Sequence, residues 1–355
     1  MTMNAGKRPL RTTSARTTSA RQVRFWTALL GAISLAGCAD VFEADPPTPG
    51  PLVARTDSGS ISEDQRRADR RRSFELRCAS PAVVRCISFD SKGQVKDLSW
   101  WTVGEAEGRG AMGRYKNQEH YLLPDQDCVE AVNGCSLKFT IPTRSGPGAS
   151  GAWFANFSDD FSVRFGENEE FYVQWRQRFS KTFLDTRYDG GGWKQIVVGE
   201  GDRPSYAPDN KVVWSCTQLE LVVANHRLEG FPSMYHSCGE KDGDYEGLAQ
   251  YDWVDYQPDE WMTFQMSVKI GTWYRNDFYY NQDSEVELWV AREGERSRHA
   301  VVDRRYDLAN TRPGAKYGKL WLLPYNTGKD ASQDHPEAYT WYDEVIISRE
   351  PIPDP

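Results

Sequence analysis

The chain has 355 residues and carries 43 Lys and Arg against 51 Asp and Glu, a formal charge of −8 at pH 7. A surface this acidic excludes nucleic-acid binding as the main role, because neutralising phosphates needs a basic face.

The first 24 residues hold Lys7, Arg8, Arg11, Arg16, Arg21 and Arg24 and no acid, and an apolar run over 25–36 follows. That run is too short to span a bilayer and has the length of a signal-peptide core. It ends in Leu35-Ala36-Gly37-Cys38, which resembles the lipobox of bacterial lipoproteins. The resemblance implies that 1–37 is removed and that the Cys38 thiol carries the lipid anchor. Ala39 rather than Asp follows the cysteine, which in that family implies an outer-membrane lipoprotein facing the periplasm or the cell surface. Loss of the leader takes the charge from −8 to −14, so the case against nucleic acid strengthens.

Residues 38–72 read as a lipidated, flexible tether. Asp45-Pro46-Pro47-Thr48-Pro49-Gly50-Pro51 opens it and the charge run 63–72 closes it, with almost nothing apolar to bury. Arg66-Arg67-Ala68-Asp69-Arg70-Arg71-Arg72 could meet anionic lipid or polysaccharide, although a solvated linker is the preferred reading. Six cysteines follow, Cys78, Cys86, Cys128, Cys135, Cys216 and Cys238, and the oxidising compartment predicts disulfides. Neighbour pairing, 78 with 86, 128 with 135 and 216 with 238, is expected among several possible connectivities. No CxxC pair or His cluster supports a zinc site.

From 73 to 355 the pattern predicts one all-β domain. Strands are expected at 83–89, 137–141, 171–179, 193–198, 217–224, 263–270, 286–291, 319–323 and 339–348. In 171–179, Phe171, Val173, Trp175 and Phe179 alternate with Tyr172, Gln174, Arg176 and Arg178, the period-2 signature of a strand with one buried face. In 263–270, Phe264, Met266, Val268 and Ile270 alternate with Gln265, Ser267 and Lys269. So many strands without a repeat of fixed period fit one large antiparallel sandwich. Polar strand faces among Trp and Tyr suit a polysaccharide groove, since sugars offer apolar ring faces and hydroxyls together.

Several segments carry a family resemblance: Gly190-Gly191-Gly192-Trp193-Lys194-Gln195-Ile196, Cys216-Thr217-Gln218-Leu219-Glu220-Leu221, and Met234-Tyr235-His236. The carboxyl end adds Leu320-Trp321-Leu322-Leu323-Pro324-Tyr325-Asn326-Thr327-Gly328 and Tyr339-Thr340-Trp341-Tyr342-Asp343-Glu344-Val345-Ile346-Ile347-Ser348. Over about 73–350 the order of segments resembles the concanavalin-like β-jelly-roll polysaccharide lyases, the alginate-lyase and glucuronan-lyase-like group. The resemblance implies a jelly-roll sandwich of two antiparallel sheets and β-elimination on a uronic-acid chain. Some members place a Lys on one central strand, two polar residues on the next and a Tyr on the following one. Lys194, Gln218 with Glu220, and Tyr235 reproduce that order. Tyr235 or His236 is then expected to handle protons, while Lys194, Gln218 and Arg176 neutralise the substrate carboxylate. Gln174, Arg176, Gln265, Lys269, Tyr325 and Asn326 are the expected substrate contacts.

Two rivals stand beside the lyase: a non-catalytic, lectin-like glycan-binding module, and a glycosidase. The ExDxE arrangement of jelly-roll glucanases is absent, so a glycosidase needs Glu220 paired with a distant acid such as Glu200, Asp343 or Glu344. His226 and His335 are further candidate proton carriers, each more readily read as a surface or hydrogen-bonding histidine. No cofactor is expected. Asp159-Asp160 or Asp242-Gly243-Asp244 could supply oxygen ligands to a structural calcium, though neither completes a calcium loop. The expected partners are a polysaccharide and, through the lipid, a membrane, with the protein a monomer.

Overall fold

A computed structural model of the chain describes residues 62–97, 124–144, 146, 153–158, 162–188, 192–200, 220–225, 232–236, 254–275, 279–309, 314–326 and 329–355. The lipobox, most of the tether, Gln218, His226, Cys216, Cys238 and both aspartate-rich loops lie outside the described residues.

Among the described residues, the segments read as strands from their patterning form strands, and others join them. They are β1 (Val83–Ile87), β2 (Asp125–Asp127), β3 (Ser136–Ile141), β4 (Trp153–Asn156), β5 (Glu170–Phe179), β6 (Trp193–Glu200) and β7 (Glu220–Asn225). The series continues with β8 (Pro232–His236), β9 (Trp261–Lys269), β10 (Thr272–Arg275), β11 (Tyr279–Ala291), β12 (Arg298–Ala309), β13 (Tyr317–Leu322) and β14 (Ala338–Ser348). Helices α1 (Glu63–Cys78), α2 (Lys92–Asp97) and α3 (Lys181–Asp185) complete the elements. Sheet A runs β10-β11-β9-β5-β14-β3-β2, with β12 beside β11 and β1 beside β14, and sheet B runs β4-β13-β6-β7-β8. The chain passes from sheet A to B at β4, returns at β5, leaves for β6 to β8, returns for β9 to β12, and crosses twice more at β13 and β14. The result is the expected jelly-roll sandwich of two antiparallel sheets.

One face of each sheet builds the core. Sheet A contributes Phe171, Val173, Trp175, Phe264, Met266 and Val268; sheet B answers with Ile196, Val198, Leu221, Val223, Met234 and Leu320. Each such side chain, fully buried, contributes about 1.5–3 kcal/mol relative to exposure. Trp175 stacks on Phe264 at 5.2 Å, and Phe171 reaches across to Tyr317 at 5.5 Å. A polar island sits inside this core. Gln195 donates to Gln177 at 2.9 Å and accepts from the Tyr256 hydroxyl, while Gln177 donates to Thr340 at 3.0 Å.

The charge run expected to end a tether is helical instead. Ser62 caps α1 by accepting from the Gln65 amide at 3.2 Å, and Glu63 and Asp64 occupy the first turn, where the helix dipole favours acids. Phe74 and Arg77, three residues apart, lie on one helix face and dock on the outer face of sheet A, Phe74 with Tyr172, Ile346 and Ile352. Cys78–Cys86 ties the end of α1 to β1, and Cys128–Cys135 closes the loop before β3; both were expected pairings.

Candidate active site on the outer face of sheet B

Register assigns the faces of sheet B. Val223 pairs with Ile196 and Met234 toward the core, and Leu221 pairs with Val198 and His236 on the same side. Val222 pairs with Val197 and Tyr235, and Ala224 with Lys194 and Ser233, so these six residues share the outer face. Tyr235 and His236 therefore point to opposite sides of the sheet.

Lys194 reaches this face because of a bulge. Simple alternation from Ile196 and Val198 would send it into the core. The register shifts between Lys194 and Ile196, and the extra residue, Gln195, turns inward and is fully buried. Gln195 is held there by Gln177 and Tyr256, and its carbonyl accepts from Tyr342 at 2.8 Å and from the Leu323 amide at 3.1 Å. The polar island of the core thus fixes the direction of the lysine on the surface.

Lys194 lies over the Tyr325 ring, with Nζ 5.3 Å from its centroid, and its amide donates to the Tyr325 carbonyl at 2.9 Å. Lys194, Ser233, Tyr235 and Tyr325 are each partly exposed, whereas Val197, Val222, Trp321 and Lys319 on the same face are buried. Among the described residues, the accessible side chains of this face are thus one ammonium, two phenols and a hydroxyl over a floor that includes Val197, Val222 and Trp321. Partial burial pushes the Tyr325 phenol up, so it stays protonated at neutral pH. Glu220 sits in β7 opposite Gly199, which is paired on its other side with Lys319.

The expected site divides accordingly. Lys194, Glu220 and Tyr235 stand on the adjacent strands β6, β7 and β8 in the expected order, with Tyr325 beside Lys194. His236 is buried, and its Nδ1 pairs with the Tyr306 hydroxyl of β12, so its placement is structural and off the face. Asn326 is buried as well. His335 is buried against the Tyr188 ring at 4.8 Å, with Nδ1 donating to the Pro336 carbonyl at 2.8 Å.

Gln174, Arg176, Gln265 and Lys269 do not join the site. They belong to sheet A, and the chain covers the first three itself. Arg77 of α1 donates to Gln174 and to Glu344, Gln174 donates to the Pro353 carbonyl at 3.1 Å, and Gln265 accepts from the Ile352 amide at 2.9 Å. Arg176 pairs with Glu293, and exposed Lys269 pairs with Glu285 at 2.6 Å. Their polar alternation serves a buried network under a helix and a carboxyl-terminal strap. Asp343 and Glu344 are fully buried in that network, so neither faces Glu220. Burial and the neighbouring Glu344 carboxylate push the Asp343 carboxyl well above its usual range.

Two lysines were not anticipated. Lys319 is buried in the row beside Gly199, and Lys329 is buried just beyond Asn326, whose carbonyl accepts from the Lys329 amide at 3.3 Å. Burial pushes the Lys329 ammonium down to about 8. The unfolded chain then binds more protons than the folded one from about pH 8 to the ordinary lysine range, so stability rises with pH there and is lost as pH falls through 8. Between about pH 7 and 9 the gain is about 1 kcal/mol, and Lys329→Met is expected to remove it from paired urea melts. Identical pH profiles for the two proteins would contradict this.

No known family and no curated protein matches the chain. Among solved structures, a PL-14 alginate lyase from Aplysia kurodai is similar at 12% identity and a TM-score of 0.47, over 75% of this chain and 98% of that one. The alginate lyase Aly36B is similar at 13% and 0.42, over 78% and 100%, and the alginate lyase vAL-1 from Chlorella virus at 13% and 0.38, over 61% and 85%. At these scores none of them assigns an activity.

Proposed function

We propose that the protein is a carbohydrate-active polysaccharide lyase that cleaves a uronic-acid chain by β-elimination on the outer face of sheet B. The observation that carries the reading is the bulge at Gln195, which turns Lys194 out beside Tyr325, on the face that also bears Tyr235 two strands away. Elimination requires three acts. The C5 carboxylate must be neutralised, the C5 proton removed, and the glycosidic oxygen protonated as its bond to C4 breaks. Lys194 is the cation for the carboxylate, where charge develops as the C5 proton leaves. Tyr235 is the proton-transfer group, and Tyr325 and Ser233 bind sugar hydroxyls. The C5–H electron pair becomes the new C4–C5 double bond, and the C4–O pair departs with the oxygen that gains the proton.

A hydrolase on Glu220 is less well supported, because two of its three candidate partners, Asp343 and Glu344, are buried on the other sheet, which leaves Glu200 of the neighbouring β6 as its second carboxylate. We further propose delivery to the outer membrane on a lipid at Cys38, a reading supported by the basic leader, the apolar run and the lipobox-like residues. Incubating the leaderless chain with a panel of uronic-acid polymers tests the activity. A rise in the ultraviolet band of unsaturated uronates is expected; new reducing ends without that rise would indicate hydrolysis, and binding with neither signal a lectin.

A further inference from the structure

The opposite face of the sandwich holds a cavity of about 480 Å³ that the proposed lyase reaction does not use. Its floor follows the register of three strands of sheet A. In the middle row Tyr172, Ser267 and Glu287 stand side by side; on one side of it Glu170 and Glu285 flank Lys269, and on the other Trp289 stands beside Gln265. Tyr172 and Glu287 are two strand spacings apart, about 10 Å between Cα atoms, and the small Ser267 between them makes the depression. The strap 351–354 forms a wall, held by Gln265 and by Ser297, whose amide and hydroxyl donate to Asp354 at 3.0 and 3.1 Å.

The electrostatics of the lining are one-sided. Glu170, Glu285, Glu287 and Asp354 line the cavity, and no Lys or Arg does. Exposed Lys269, between Glu170 and Glu285 in its row, meets Glu285 at 2.6 Å and acts on Glu170 across the same row. Arg304 meets Glu287 at 3.4 Å, and His299 lies 3.2 Å from Glu287. Among the described residues Glu170 and Asp354 accept only from neutral groups, Tyr172 and Ser297. Carboxylates around a half-buried Trp289 select an organic cation with an apolar face, and the Trp ring adds cation–π attraction.

We propose that this cavity binds an amine-bearing sugar of the glucosamine type, its ammonium received by Glu170 and Glu287 and its ring face lying on Trp289. The site is independent of the lyase reading, because it lies on the other sheet. Calorimetric titration of the leaderless chain with a glucosamine oligomer, its N-acetylated counterpart and a simple diamine tests it. The amine oligomer is expected to bind at least tenfold more tightly than either control. Glu170→Gln with Glu287→Gln, or Trp289→Ala, is expected to weaken binding at least tenfold, while Lys194→Ala leaves it unchanged. Equal binding of the acetylated oligomer or of the diamine, absence of binding, or loss of binding in Lys194→Ala would overturn the proposal.

Discussion

Tyr235→Phe is expected to lower the rate of uronate-chain cleavage by about 10²–10⁴-fold, the range for removing a positioned proton-transfer group. The substitution deletes one oxygen from a partly exposed ring at the outer face of β8, so folding should not change. Binding of the polymer should persist, since Lys194 and Tyr325 remain. The effect should therefore fall on kcat with KM nearly constant. His236→Gln supplies the contrast. That side chain points to the other side of the sheet and pairs with Tyr306, so its loss should cost stability and leave the chemistry of folded enzyme intact. An activity loss in His236→Gln equal to that of Tyr235→Phe, at matched folding, would reverse the assignment.

The second large effect is on stability and lies beneath α1. Arg77 is almost fully buried and bonds both Gln174 and the fully buried Glu344, which also accepts from Asn133 at 2.7 Å. Two features of the backbone bring Glu344 there. A register shift in β14 between Asp343 and Ile346 sends both acids to the outer face, and Glu344 adopts a left-handed φ of 47°. Arg77→Met leaves that carboxylate buried without its cation and is expected to cost about 3–5 kcal/mol in urea denaturation. Adding Glu344→Gln removes the stranded charge, so the double variant should recover part of the loss. A double variant no more stable than Arg77→Met would show that packing of the arginine stem, not its charge, carries the contribution.

Which parts of this molecule were legible follows from whether local pattern or tertiary partner decided them. The alternation in β5 and β9 predicted both strands, because the core needs every second residue apolar. What that alternation left open was the fate of the polar face. Gln174, Arg176 and Gln265 look like a groove lining in sequence, and their actual partners come from α1, Glu293 and the carboxyl-terminal strap, far away along the chain. The charge run 63–72 resembles solvated linker for the same reason: what orders it is docking through Phe74 and Arg77, two residues beyond its end. Strand β12 was hidden because its register shifts break period 2, placing Ala300 and Val301 in the core together. In the candidate site, the strand order of Lys194, Glu220 and Tyr235 was readable. The direction of Lys194 was not, because it depends on a bulge that only the buried Gln177, Gln195 and Tyr256 network explains.

The central claim is that the Lys194 and Tyr235 face breaks a uronate chain by elimination. Mass spectrometry of the products from a defined uronic-acid oligomer tests it most directly. Elimination predicts that one fragment of each cleavage lacks the elements of water and carries a C4–C5 double bond, and that these fragments vanish with Lys194→Ala. Fragments that have all gained water, or unsaturated fragments that persist undiminished in Lys194→Ala, would contradict the account.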